Sequence, residues 1–377
     1  MVLPGMLTMS GFLLRVNSGP VCMKLKCSNK LFILSLCLFL AGCESISYYS
    51  QAILGQLSIL SKREAIEDLI ADDRSSPELK SKLSTILDIR AFAESEMLLP
   101  VEDNYDSYVD VDRPFVVWNV FAAAEFSMTP HNWCYPIAGC VSYRGYFAEA
   151  DAQRYAARLD DDGLDVYVGG VSAYSTLGWF SDPVLSTIIN RDDYQLAALL
   201  FHELAHQLIY IPGDTEFNES FATAIEREGL RRWLAASNVD AAESHNIVQL
   251  AQLNTQRREE FVALVAAVVS ELDTIYASDS SEDFKRQAKA EVFTEMQSDY
   301  AALKNNWNGY DGYDAWMSRE LNNAQLNTVA TYFNWVPAFE QILADNEYDL
   351  TRFYTEISVL SELDSNERSC ILSSKIN

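Results

Sequence analysis

The sequence predicts a mostly helical α+β protein, and three observations carry that expectation. Residues 196–211 are an apolar run, broken only by His202, Glu203, His206 and Gln207, with neither Gly nor Pro until Pro212-Gly213. That run reads as one buried helix of roughly 18 residues. Before it, between residues 100 and 192, short β-branched and aromatic segments alternate with Gly and Asp turns, the pattern of a small sheet. After it, from Asp214 onward, helical periodicity is nearly continuous, with breaks at 277–281, 305–312 and 334–337.

At 377 residues, nearly half of them apolar, the chain is long enough to bury a sizeable core. Four segments are expected: 1–42 as an extension plus signal peptide, 43–99 as a helical arm, 100–192 as the sheet-containing part, and 193–377 as the helical remainder. Lys24, Lys26 and Lys30 precede the apolar stretch 31–40, which is shorter than the about 20 residues needed to span a bilayer. Leu40-Ala41-Gly42-Cys43 follows. It looks like a bacterial lipobox, at which a signal peptidase cuts before Cys43 and lipid is attached to that residue. Met23 begins a signal of ordinary length, so residues 1–22 read as an upstream extension that is not translated. Glu44 after the cysteine, by resemblance to Gram-negative lipoproteins, implies the outer membrane, facing the periplasm.

Seven cysteines become four after such processing: Cys43, Cys134, Cys140 and Cys370. Cys134 and Cys140 flank a short Pro/Gly loop and are the favoured disulfide pair in an oxidising compartment, with two free thiols as the alternative. Residues 1–42 hold four basic and no acidic side chains, so the remainder carries 24 basic against 54 acidic residues, a net charge near −30. That charge argues against nucleic acid as a partner and against electrostatic adhesion to anionic lipid.

Residues 45–99 read as two helices. The first starts at Tyr48 and carries its apolar face to Ile70; Ser75-Ser76-Pro77 ends it, and Pro77-Glu78 opens the second. Val116 to Ala123, Phe126 to Met128, Gly139 to Phe147 and Leu164 to Gly170 read as strands, with a helix over Ala150–Leu159. Gln256–Leu303 reads as a long charged helical hairpin, and no internal repeat is present.

The chemistry concentrates on His202-Glu203-Leu204-Ala205-His206. Residues four apart share a helix face, so both imidazoles can reach one metal ion, and Glu203 can hold and deprotonate a water beside it. Two imidazoles and a carboxylate in an apolar helix are costly to bury without a strong partner; zinc is such a partner. A catalytic zinc site usually takes three protein ligands. Pro212-Gly213 turns the chain, Asp214 or Thr215 can cap a new helix, and the antiparallel return brings Phe217-Asn218-Glu219-Ser220-Phe221-Ala222 back against His206. Glu219 is the best-placed carboxylate. Glu216 and Glu226 are rivals, Glu226 also as a partner for a ligand histidine and Glu216 as part of a solvated face.

These residues resemble the gluzincin metallopeptidases, whose third zinc ligand is the glutamate of an Asn-Glu pair. More closely, the chain resembles a bacterial aminopeptidase family of periplasmic lipoproteins. Trp133 to Cys140, Tyr143 to Phe147, Tyr174 to Pro183, Asn322-Asn323-Ala324 and Val336 to Phe339 are its family-like blocks. The resemblance implies a zincin-like core, one zinc per chain held by His202, His206 and Glu219, Glu203 as general base, and a peptide substrate taken from its N-terminus. Thirteen positions separate His206 from Glu219, fewer than in the best known gluzincins. The Gly-x-Met-Glu-Asn string of a large related aminopeptidase group is absent from the sequence. Exopeptidase activity therefore comes from the family, and metal-dependent hydrolysis from the residues.

Hydrolysis also needs a donor for the oxyanion. Tyr332 is the candidate in a family-like block, with Tyr174 and Tyr210 as others. Tyr174–Trp179 is expected to form a lip for extended substrate or a plain aromatic core segment. His131 and His245 read as structural. An endopeptidase of the same chemistry, or an envelope lipoprotein with a structural metal, are the alternatives.

Overall fold

A computed structural model describes residues 47–135, 139–173, 180–237, 240–329 and 335–376. The strands are β1 (Glu64–Ala65), β2 (Ser107–Val109), β3 (Val117–Ala124), β4 (Trp133–Tyr135), β5 (Gly139–Val141), β6 (Arg144–Tyr146), β7 (Leu164–Val171) and β8 (Val184–Leu185). The helices are α1 (residues 47–61), α2 (Ile66–Ala71), α3 (Pro77–Ser95), α4 (Glu149–Asp161), α5 (Asp193–Leu208), α6 (Thr215–Ala236), α7 (Ala241–Ala277), α8 (Glu282–Asn306), α9 (Asp314–Met317), α10 (Asn323–Leu326), α11 (Val336–Asp345), α12 (Leu350–Ser361) and α13 (Ser365–Ile376). The protein is mostly helical with small sheets, the α+β class that the sequence predicts.

The N-terminal helices depart from expectation. The first ends at residue 61 instead of running to Ile70, because Glu64-Ala65 extends to pair antiparallel with Ser107-Tyr108. A two-residue strand has no periodicity of its own, so nothing in the sequence announces it. Ser76 caps α3 by accepting from the Leu79 N–H, with Pro77 in the first turn. Leu83, Ile86, Ile89 and Phe92, spaced at three, bury one face of α3 in the same core as Leu196, Leu200 and Phe201 of α5. Helix α3 thus shares its core with α5.

Among the described residues the expected single sheet is three small ones. β3 is the centre of an antiparallel β6-β3-β7 sheet, while β1, β2 and β8 form a second and β4 pairs with β5 in a third. Gly139 to Phe147 is not one strand, since the chain bends at Ser142-Tyr143 and sends β5 and β6 to different sheets. Phe126 to Met128 is not a strand either. The chain turns there after β3, and Met128 is buried against the α7–α8 core. Burial there is achieved without pairing. Helix α4, expected over Ala150–Leu159, is capped slightly further out at each end.

The long helical hairpin is present as α7 and α8, with Phe261, Val265, Val268 and Leu272 meeting Val292, Met296 and Tyr300. Asn323, fully buried, ties this hairpin to the β3 sheet. Its Nδ2 donates to the carbonyls of Ala124, Glu125 and Ser127, and its Oδ1 accepts from the Tyr276 hydroxyl at 2.9 Å. Its backbone N–H donates to Asp165, whose carboxylate also meets Lys289 at 2.6 Å. Replacing Asn323 with Ala leaves a buried hydroxyl without its acceptor and takes a donor from three carbonyls, of which Ala124 keeps the Ser127 N–H and Glu125 keeps Lys289 Nζ. We expect Asn323→Ala to lower unfolding free energy by roughly 2–4 kcal/mol, read by urea denaturation; a loss under about 0.5 kcal/mol would show that the carbonyls find other donors.

Candidate metal site

Helix α5 begins with a capping box. The Asp192 side chain accepts from the N–H of Gln195, and the Gln195 side chain reaches back to the Asp192 N–H. Leu196, Ala197, Leu200, Phe201, Leu204 and Ala205 bury its apolar face completely. The helix, Asp193–Leu208, ends three residues before the apolar run does, because Ile209 turns to an extended conformation to reach the bend at Pro212-Gly213. Gly213 sits at φ +85°, where a side chain would be strained.

That bend is held from three directions. Asp214 caps α6 by accepting from the Phe217 N–H at 3.1 Å. Its other oxygen accepts from buried Arg368 of α13 at 2.5 and 3.1 Å. Asn218, buried in the first turn of α6, accepts from the Ile211 N–H and donates to the Ile211 carbonyl, both at 2.8 Å. The asparagine of the Asn-Glu pair therefore fixes the bend that returns Glu219 to the histidines. Further along, a Cβ on Gly229 of α6 would lie 2.5 Å from the Phe201 ring. A glycine inside a helix costs about 1 kcal/mol relative to alanine; here it lets α6 close on α5 beside His202.

The return brings three candidate ligands together. One ligand atom each from His202, His206 and Glu219 can be chosen so that all lie within 4.8 Å of one another. His202 Nε2 is 3.3 Å from Glu219 Oε2, and His206 Nε2 is 3.7 Å from Glu219 Oε1. On its other side, His202 Nδ1 is 3.1 Å from Glu226 Oε2. Glu226 thus stands behind the histidine instead of in the cluster, and Glu216 is not among the three.

The electrostatics follow from this packing. Burial pulls the His202 imidazole down, but hydrogen bonds to Glu219 and Glu226 outweigh it and raise its pKa to about 10. His206, buried and beside the charge on His202, is pushed down to about 4. Burial raises the Glu219 carboxyl, yet its hydrogen bond to His202 outweighs that and lowers it to about 2.

The donor set fits a divalent ion. Two imidazoles and one carboxylate are the protein ligands of one class of catalytic zinc site. Among the described residues, the buried Glu203 Oε2 and His206 Nδ1 have no hydrogen-bond partner. An unpartnered buried carboxylate oxygen is costly, and next to a ligand pair it has a use.

The other candidates are placed as follows. Tyr210 is partly exposed, its ring 6.3 Å from that of His206. Tyr332, Tyr174 and the rest of the Tyr174–Trp179 segment, and Cys43, lie outside the described residues. Cys134 and Cys140 form a disulfide across the β4–β5 hairpin, and Cys370 is a free, exposed thiol. His131 packs edge-on against Trp133, and His245 is exposed on α7. Two tyrosines escaped sequence reasoning. Tyr143 is held above the ordinary tyrosine range by burial and then by Tyr210, Tyr48 and Glu219. Tyr105 is raised by burial and then by Glu203. Tyr143 falls in one of the blocks that the sequence singles out, whereas Tyr105 sits in an irregular loop at φ 59° and carries no signal.

No helix of the described residues is long and apolar enough to cross a membrane. No curated protein and no solved structure matches the chain. A family model described as "Putative aminopeptidase" matches residues 47–372, nearly the whole chain outside its N-terminal segment, and the protein belongs to that family.

Proposed function

We propose that this protein is a zinc-dependent peptidase, an aminopeptidase in keeping with its family, with a zincin-like core and a lipid anchor at Cys43 that holds it in the periplasm. The observation that carries the catalytic part is the convergence of His202, His206 and Glu219 beside the unpartnered carboxylate of Glu203. Those three side chains would hold the ion. When bound, zinc polarises the substrate carbonyl and lowers the pKa of water.

The chain's own residues supply the rest. Glu226 keeps the His202 ring oriented through Nδ1, so Nε2 remains the ligand atom. Glu203, adjacent to His202 on α5, accepts a proton from the attacking water and returns it to the leaving amine. Tyr210, whose ring lies 6.3 Å from that of His206, is a described candidate to serve the oxyanion; Tyr332 remains a candidate for the same task.

Comparing a free peptide with its N-acetylated form tests the exopeptidase reading. We expect the acetylated form to be cleaved at least about a hundredfold more slowly, because a site that binds a charged amine rejects the neutral amide. Equal rates would make the protein an endopeptidase.

A further inference from the structure

Helix α1 has two faces of different character. Its inner face is tied to the β6 sheet. Tyr48 and Ile59 are buried, Gln51 donates to the Gly145 carbonyl at 3.2 Å and accepts from the Phe147 N–H at 3.1 Å, and Gly55 leaves room for the Phe147 ring, which a Cβ would meet at 2.1 Å. α1 is thus fixed to the body, and its orientation sets that of the domain.

Among the described residues the outer face is exposed. Ser47, Ser50, Leu54, Leu57 and Ser61 follow one another at helical spacing and are exposed, Leu54 at 66% and Leu57 at 50%. From Ser45 to Arg63 the chain has no acidic residue, and Lys62 and Arg63 follow the helix directly, in a protein with 54 acidic side chains. The helix itself therefore carries no negative charge, and the carboxylate beside Leu54 and Lys62, Asp151 of α4, is paired with Arg154. Cys43, the expected lipid attachment point, precedes Ser47 by four residues, a reach of at most about 14 Å.

We propose that the Leu54–Leu57 face of α1 lies against the lipid bilayer, with Lys62 and Arg63 at the level of the lipid phosphates. This contact holds the domain in one orientation relative to the membrane. It rests on the lipid-anchor reading of Cys43 and does not depend on the peptidase chemistry. Leucines pointing into the interface gain by burial, and basic side chains beside them meet the headgroups. The anchor supplies proximity, and the face supplies orientation.

The test uses the acylated chain with Cys370 replaced by Ser and a nitroxide on Leu54→Cys, reconstituted into vesicles of phosphatidylethanolamine and phosphatidylglycerol. Val359→Cys on α12, exposed at 59%, is labelled in a parallel sample as the aqueous control. The expected result is flotation with the vesicles, with the label at 54 more accessible to oxygen than to a water-soluble nickel complex and the label at 359 showing the reverse. Flotation with the label at 54 as open to nickel as the control would overturn the orientation while leaving the anchor. A chain that does not float would remove the anchor and the proposal with it. Spin–spin broadening between labels at 54 would show a second copy on this face instead of lipid.

Discussion

Glu203→Gln is expected to leave one metal ion bound and to lower kcat on the order of a thousandfold or more. Glu203 is buried on α5 next to His202, and its Oε2 has no hydrogen-bond partner among the described residues. Glutamine keeps the volume and most of the packing but cannot accept a proton at neutral pH. It is outside the three-residue cluster, so metal content should stay at the wild-type level. Metal analysis and turnover on the same preparation separate the cases. Loss of metal along with activity would mean that Glu203 holds the site together, whereas unchanged turnover would remove it as the base.

Metal affinity is expected to rise about tenfold per pH unit between roughly pH 5 and 9, with close to one proton released per ion bound. The sign follows from the ion-free site. His202 is raised to about 10 by Glu219 and Glu226, so at neutral pH an ion at Nε2 must displace a proton. His206, at about 4, is already neutral there, and Glu219, at about 2, is already ionised. The same shift has a consequence for the ion-free fold. A raised histidine pKa contributes stability that is complete below the ordinary value near 6.5 and is lost as the pH rises through about 10. Alkaline conditions therefore weaken the ion-free protein while favouring ion uptake. Titration calorimetry in two buffers of different ionisation enthalpy counts the protons. No release at pH 7 would mean that His202 is neutral before the ion arrives.

The sequence exposes some of this architecture and conceals other parts for physical reasons. The four-residue spacing of His202 and His206 inside an unbroken apolar run is a local property, so the helix and its shared face can be read directly. The return of Glu219 is nearly local as well, because Pro212-Gly213 and the Asp214 cap make a short turn. Only part of what stabilises that turn is local. Asn218 and the Asp214 cap lie within it, but Arg368 reaches Asp214 from the last described helix, and elsewhere in the fold Asn323 binds carbonyls almost two hundred residues earlier. Such contacts leave no periodic trace. The two-residue strands β1 and β8 are equally silent, so the apolar face of the first helix reads through β1 to Ile70. Tyr105 near Glu203 and Tyr143 near Glu219 depend on how loop and sheet pack over α5, which spacing alone does not encode.

The most direct measurement is the zinc content of the purified mature protein, wild type beside Glu219→Ala. About one zinc per chain is expected in the wild type, as one three-ligand site requires, and the variant should lose it or bind it far more weakly. Zinc retained at full strength by the variant would move the third ligand to Glu226 or Glu216. A folded wild-type chain that takes up no metal when zinc is offered would contradict the account.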